Sequence, residues 1–338
     1  MPERITLALP SKGVLADPTL DFLRDCGLAV HKPNPRQYTG SIRALPGIDV
    51  LFQRVKDVVA KVEAGTVELG IAGHDLVCEL ESDDLLVINE RLGFGHCQLQ
   101  LAVPTTWVDV QGMADLVDVA LDFRQYRHRN LRVATNFSHL ARQFLNANGL
   151  HHFSLVQAEG AIEAAPTLGY ADCVIDLSQT GTTLRENHLR PLPDGTLLES
   201  QATLIGNRRC LQAMEPVQGK LLRTLLELMD AALQGRERYL LSANLAGTDP
   251  ERLARQMMEN PVTRGLEGPT LAPTWNEDGQ QGYAVTLVIS ADQLLPAVQY
   301  LRSIGGRQAS ARPLRHVFLE DSPSWLRLQQ LLGHCRQN

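Results

Sequence analysis

Residues 171–184, ADCVIDLSQTGTTL, hold the densest set of chemically useful groups in this chain. An apolar run over 171–176 leads into a turn carrying Ser178, Thr180, Gly181, Thr182 and Thr183. If the run is a strand and the turn opens a helix, these hydroxyls and the first helical N–H groups converge on one small volume. The helix dipole adds positive potential there, and Gly181 permits close backbone approach. A phosphate monoester suits such a nest. The same residues also suit a plain helix cap, since Ser and Thr accept hydrogen bonds at the start of many helices. Asp172 and Asp176 precede the turn and cannot both bind phosphate. Asp176, at the strand end, is placed to accept hydrogen bonds from sugar hydroxyls, so acid and turn together match a ribose 5-phosphate.

Other reactive side chains read two ways. Lys56 falls on an expected helix, where a lone lysine is commonly a solvated charge. Glu163 on its own reads as a helix-face acid, and Asp75 as a helix N-cap, a role that leaves room for ligand contact. His74, His96 and His139 show no paired spacing on one helix face, so no metal site is expected. Cys97 reads as packing. Gly93, Phe94 and Gly95 read as a tight bend.

The elements that must position these groups follow from pattern. The chain has 338 residues, enough for two or three domains, with 44% hydrophobic and 21% charged residues, ordinary for a globular protein with a sizeable core. The net charge of −6 provides no basic excess for a nucleic-acid backbone. No apolar run approaches the ~20 residues that span a bilayer, and the start, MPERITLALP, lacks the pattern of an export signal. Six scattered cysteines, with no C-x-x-C pair, point to a reducing cytoplasm rather than to a disulfide framework.

Strands are expected at 5–9, 48–52, 68–72, 85–88 and 99–103, with a helix over 55–64. A second series comprises a strand at 131–134, a helix near 138–148, a strand at 153–156, a helix near 159–168 and the strand at 171–176. Residues 104–129 between the series read as irregular. Alternating strands and helices predict α/β lobes around mostly parallel sheets, and a strand at 202–205 returns the chain to the first lobe. A helix over 217–233 carries Leu221, Leu222, Leu225, Leu228 and Met229 on one face and is expected to stop at Gly235. Beyond it come a strand (239–245), helix (250–258), strands (270–273 and 283–290), helix (291–304) and strand (314–319), the βαββαβ ferredoxin-like order. The tail after Ser322 reads as a short helix. The domain boundaries expected are 1–104 with 190–212, 105–189, a linking helix at 213–235, 236–321, and a tail at 322–338.

Several separated motifs then agree with one family. EAAP at 163–166, GYAD at 169–172 and DLSQTGTTL at 176–184 with Asn187 resemble the phosphoribosyl-pyrophosphate (PRPP) segment of the ATP phosphoribosyltransferases, the first enzymes of histidine biosynthesis. LPSKGVL at 9–15, Arg54 to Lys56, ELGIAGHD at 68–75, LGFGHCQL at 92–99, RVAT at 132–135 and GPTLAP at 268–273 are similar to further family motifs, so the resemblance spans essentially the whole chain. It departs at Val14, where the family's loop has arginine, and at ATNFS (134–138), which lacks the family's tyrosine and proline.

The resemblance implies two periplasmic-binding-protein-like (type II) lobes with the active site between them. It also implies a C-terminal ferredoxin-like regulatory domain of the long form, inhibition by histidine, and a homo-oligomer (dimer or hexamer) in the cytoplasm. The reaction it implies joins N1 of the adenine of ATP to C1 of PRPP and releases pyrophosphate, with Mg²⁺ carried by the substrate. Lys12, Arg54 and Lys56 are then expected on phosphate or pyrophosphate, with Arg54, Lys56 and the 178–183 turn on PRPP. Glu163 and Asp176 are expected on the ribose, Lys12, Gly13 and Asp75 on ATP, and Thr270 and Ala272, with Leu271 and the Gly305–Gln308 turn, on the inhibitor. A two-lobed protein that binds phosphoribosyl ligands without turnover is the alternative. Neither reading involves nucleic acid or a membrane.

Overall fold

The structure is a computed structural model that describes residues 4–34, 36–157, 160–247, 249–275 and 281–333. Glu159 and Cys335 lie outside them. The chain divides into two compact units, 1–24 with 29–222 and 327–338, and 25–28 with 223–326.

The first unit begins β1 (Ile5–Pro10), α1 (Ala16–Asp25), β2 (Val30–His31), β3 (Thr39–Ile42), β4 (Ile48–Gln53), α2 (Val55–Glu63), β5 (Leu69–Gly73), α3 (His74–Leu80) and β6 (Leu85–Asn89). It continues β7 (Cys97–Pro104), α4 (Met113–Tyr126), β8 (Leu131–Thr135), α5 (Ser138–Ala147), β9 (Phe153–Val156), a 3₁₀ turn at Ile162–Ala164, α6 (Ala165–Leu168), β10 (Cys173–Ser178), α7 (Thr182–Glu186), β11 (Leu189–Ser200), β12 (Ala202–Asn207) and α8 (Arg208–Gln212). Among the described residues these strands form two sheets, ordered β2-β3-β4-β1-β5-β12-β6 and β11-β7-β10-β8-β9. β1 runs parallel to β4 and β5, and β8 runs parallel to β9 and β10. Parallel strands covered on both faces need continuous apolarity, and β5 is buried along its whole length. Helix α2 covers this sheet through Val58, Val59 and Val62 at helical spacing. The second sheet packs Leu99, Leu101, Val133 and Ile175 against Leu116 of α4 and Leu145 of α5.

The two-sheet, α/β architecture agrees with the sequence, but the lobe boundary moves. Residues 97–104 and 190–200, assigned by sequence to the first lobe, belong to β7 and β11, which pair with each other and, through β7, with β10 in the second sheet. Apolar pattern reveals a strand but not its partner, so sheet membership was invisible. The chain therefore crosses between sheets at 90–96 and at Gln201. The segment 104–129, read as irregular, contains α4. Its buried Met113, Leu116, Ala120 and Phe123 keep helical period, but Asp115, Asp118 and Asp122 are interleaved. β11 was also missed, because Pro191, Pro193 and Gly195 interrupt its apolar pattern. Its register shifts accommodate them at a sheet edge.

α9 (Pro216–Arg236) leads into the second unit, followed by β13 (Arg238–Ala246), α10 (Pro250–Glu259), β14 (Thr270–Trp275), β15 (Gln281–Ser290), α11 (Leu294–Ser303), β16 (Gly306–Pro313) and α12 (Pro323–Leu331). The antiparallel sheet order β14-β15-β13-β16 is ferredoxin-like. Leu241, Leu245, Val285 and Leu287 form its core with Met257 of α10 and Leu301 of α11. Gly235 does not stop α9. It lies within the helix, and a Cβ there would meet the Arg315 carbonyl oxygen at 2.5 Å, so glycine serves close backbone packing. The last strand is β16 rather than 314–319. The more apolar segment lost to an exposed edge strand whose backbone pairs with β13. Among the described residues no helix is long and apolar enough to cross a membrane.

Candidate active site

The two sheets of the first unit enclose a cavity of about 830 Å³, a size suited to nucleotide-like ligands. The loop after β1 contributes Lys12 and Gly13, the start of α2 contributes Arg54 and Lys56, and the β5–α3 junction contributes Gly73 and Asp75. From the second sheet come Asn136 and Phe137 before α5, Glu163 on the 3₁₀ turn, Asp176 at the end of β10, and Ser178, Thr180, Gly181, Thr182 and Thr183. Strand ends and helix starts thus converge, as expected for crevices at the carboxyl ends of parallel strands. Val14 lines the same cavity and is 64% exposed. The candidates Thr270 and Ala272 lie elsewhere, exposed on β14 of the second unit. The Gly305–Gln308 turn leads into β16, at the opposite edge of that sheet. Within one chain the two patches therefore do not form one clamp.

The hydroxyl-rich turn is ordered by its own groups. Gly181, at φ +70°, is the N-cap of α7, and its N–H donates to Ser178 Oγ at 3.0 Å. The Thr180 and Thr182 hydroxyls hydrogen-bond each other at 3.0 Å. Arg185 Nη2 donates to Thr182 Oγ1 at 3.3 Å and to the Thr180 carbonyl at 3.4 Å. Arg185, left aside by sequence reasoning, adds a cation beside the turn one helical step after it.

The two acids before the turn have separate fates. Asp172 is buried and lies outside the cleft. Arg129 grips it with two bonds, at 2.5 and 2.8 Å, and Arg132 adds its backbone N–H at 2.8 Å and its guanidinium at 3.1 Å. Burial alone would raise its pKa, but the two arginines win and hold it at about 2. Asp176 has no such partners. Burial first, and then the neighbouring negative charge of Glu163, push it up to about 6 against the bond from the Leu177 N–H. A carboxyl poised this way in a cleft suits an interaction with developing positive charge.

Asp75 is 4% exposed and is not an N-cap, because Gly73 takes that position. Ser200 donates its hydroxyl to Asp75 Oδ1 at 2.6 Å and accepts the Asp75 N–H at 3.0 Å. Burial raises the Asp75 pKa, partly opposed by the Ser200 bond. Ser200 lies 125 positions away, and nothing in the sequence signalled it. His139 pairs with Glu81 at 2.7 Å, and His74 Nε2 lies 3.3 Å from Cys78 Sγ. The described residues hold no group of three or more His, Cys, Asp or Glu able to bind a metal. Burial pushes the Cys97 thiol up to about 11, which fits packing rather than nucleophilic attack.

Comparison with known proteins bears on what this cleft handles. The family description "HisG: ATP phosphoribosyltransferase" matches residues 54–230. The chain is similar to the chloroplastic ATP phosphoribosyltransferase 2 of Arabidopsis thaliana, 39% identical over 341 residues that cover 98% of this chain and 81% of that protein. It is also similar to the ATP phosphoribosyltransferase of Nitrobacter winogradskyi, 32% identical over 335 residues that cover 98% and 99% respectively. Among solved structures, the ATP phosphoribosyl transferase (HisG:HisZ) complex from Thermotoga maritima shares the fold, with TM-score 0.50 and 21% identity over 67% of this chain and 95% of that one. Similarity along 98% of this chain to such relatives joins the cleft to the motifs already read from the sequence: the chain belongs to the ATP phosphoribosyltransferase family and is an enzyme of the first step of histidine biosynthesis.

Proposed function

We propose that the family's reaction takes place in the cleft between the two sheets, with the roles divided by charge. The adenine N1 lone pair of ATP attacks C1 of PRPP, the C1–N1 bond forms, and the bond from C1 to the pyrophosphate oxygen breaks, the electron pair leaving with pyrophosphate. N1 is unprotonated at neutral pH, so no strong base is needed. The barrier lies in bringing two polyanions together and in the positive charge that develops on the ribose. The 178–183 turn and Arg185 suit the 5-phosphate, and Glu163 and Asp176 suit the ribose hydroxyls and the oxocarbenium-like sugar. Lys12, Arg54 and Lys56 suit the phosphates of ATP and the departing pyrophosphate, arginine through bidentate bonds. Asp75, with Gly13, suits the nucleoside of ATP.

The observation that carries this reading is the placement of four carboxyl groups (Asp57, Asp75, Glu163 and Asp176), three cations and a hydroxyl turn around one cavity. Mg²⁺ fits as a passenger of the substrate: the cleft offers carboxylate oxygens but no protein cage among the described residues. When bound to pyrophosphate it supplies positive charge to the leaving oxygens. The test is pyrophosphate release from ATP, PRPP and Mg²⁺ by Asp176→Ala. A loss of about 100-fold or more is expected for a group acting on transition-state charge, whereas a near-wild-type rate would remove Asp176 from the mechanism.

Regulation belongs to the second unit in the same reading. Histidine is the inhibitor, with its site around Thr270 and Ala272 on the exposed edge strand β14. The enzyme is a homo-oligomer, a dimer or hexamer, in which exposed edges such as β14 and β16 are natural contact surfaces. The cysteines described are free thiols, which suits a reducing cytoplasm. Pyrophosphate release measured with and without histidine, in the wild type and in Thr270→Ala, tests the inhibitor site.

A further inference from the structure

Helix α5 starts at the wall of the cleft, directly after Asn136 and Phe137, yet it has no cap of its own. Phe137 occupies the N-cap position, and no side-chain bond is made there. The missing cap comes from the other lobe. Glu79, on α3, accepts the His139 N–H on Oε1 at 2.9 Å and the Leu140 N–H on Oε2 at 3.0 Å. Both oxygens of one carboxylate therefore satisfy two first-turn amides some 60 positions away, where the helix dipole strengthens the bonds. Next to it, Glu81 adopts a left-handed backbone at φ +46° as the C-cap of α3, and its carboxylate meets His139 Nε2 at 2.7 Å. That second pair is largely exposed and contributes little by itself.

The lobes are also joined by the chain crossings at 90–96 and Gln201 and by the Asp75–Ser200 hydrogen bonds between α3 and β11, and α3 lines the cleft through Asp75 and Leu76. The contacts that α3 makes with the second lobe, the Glu79 cap among them, thus bear on how far apart the two halves of the cleft stand. We propose that Glu79 is a positioning residue: by capping α5 from the opposite lobe it holds the two halves of the cleft at the spacing substrates require before they arrive. This rests on the reading of the cleft as the catalytic site. Without Glu79 the substrate-ready spacing is only part of the population, and apparent affinity falls by that fraction, while the saturated enzyme still reaches the same geometry.

The test is Glu79→Ala in the full chain, assayed by pyrophosphate release over a range of ATP and PRPP, with hydrogen–deuterium exchange of the peptide containing His139 and Leu140. The expected result is a rise of about tenfold in KM, with kcat at saturation within twofold of wild type. Faster exchange at the two amides should accompany it and be reversed by substrates. Glu79→Gln retains one good acceptor oxygen, so its KM should rise less. Unchanged KM, or a fall in kcat at unchanged KM with only a lowered Tm, would overturn the proposal, because a purely structural cap alters the amount of folded enzyme and not its affinity. If Glu79→Ala does not fold, Glu79→Gln assayed in the same way decides. Asp176→Ala run in parallel separates the two readings: full activity there sinks the cleft assignment, whereas an inactive Asp176→Ala beside an unaffected Glu79→Ala sinks only the role of Glu79.

Discussion

Asp176→Asn should make the protein more stable and less active, and the two effects should separate with pH. Burial and the Glu163 charge raise the Asp176 carboxyl from 3.8, its ordinary value, to about 6. Between those values the native state binds more protons at this site than the unfolded chain does. Stability therefore declines as pH rises from about 4 to about 6 and levels off above. At about 1.36 kcal/mol per pH unit, the gap corresponds to at most about 3 kcal/mol at pH 8. Solvent in the open cleft screens part of it, leaving about 1–2 kcal/mol. Asparagine keeps the shape and removes the charge. Thermal melts at one protein concentration should then show Asp176→Asn above wild type by about 2–6 °C at pH 8, and equal to it near pH 4. Pyrophosphate release should drop about 100-fold or more, and wild-type activity should fall as pH drops through about 6. A variant no more stable than wild type at pH 8, or stabilised equally at pH 4, would refute the claim that a strained carboxylate is kept here for catalysis.

Other perturbations follow from the same geometry. Asp172→Asn should cost about 2–3 kcal/mol at pH 7 by leaving Arg129 and Arg132 without their carboxylate, read as a lower urea midpoint with unchanged activity per folded molecule. Because the Asp172 pKa is lowered to about 2, the wild type's advantage is present above about 4 and should vanish as pH falls through 2. Ser200→Ala strips a buried carboxyl, Asp75, of its hydroxyl donor, and should lower stability by about 1–3 kcal/mol in chemical denaturation. In α9, Gly219→Ala meets nothing within 4 Å and should stabilise by about 0.5–1 kcal/mol. Gly235→Ala drives a methyl against the Arg315 carbonyl and should lower Tm instead.

Local chemistry was legible where it is contiguous. The 176–184 segment carries its strand, its turn glycine and its hydroxyls within nine residues, so both its conformation and its likeness to a phosphate loop could be read directly. The βαββαβ order of the second unit was legible for the same reason, except that its last strand was placed on the more apolar 314–319, because the exposed β16 carries no apolar period. What escaped notice were groups whose roles depend on a distant partner: Ser200 on Asp75, Arg129 and Arg132 on Asp172, and Glu79 on the first turn of α5.

Sequence by itself determined the family, the alternation of strands and helices, and the set of residues that come to the cleft, because these are encoded in short runs of residue type and spacing. Only the tertiary structure decided which sheet β7 and β11 join, that 113–126 is a helix, that Asp172 is tied to arginines, and that the inhibitor candidates sit at opposite sheet edges. The physical reason is common to all four: strand pairing, burial and charge compensation are properties of pairs of residues far apart in the chain, and the type of one member does not name the other.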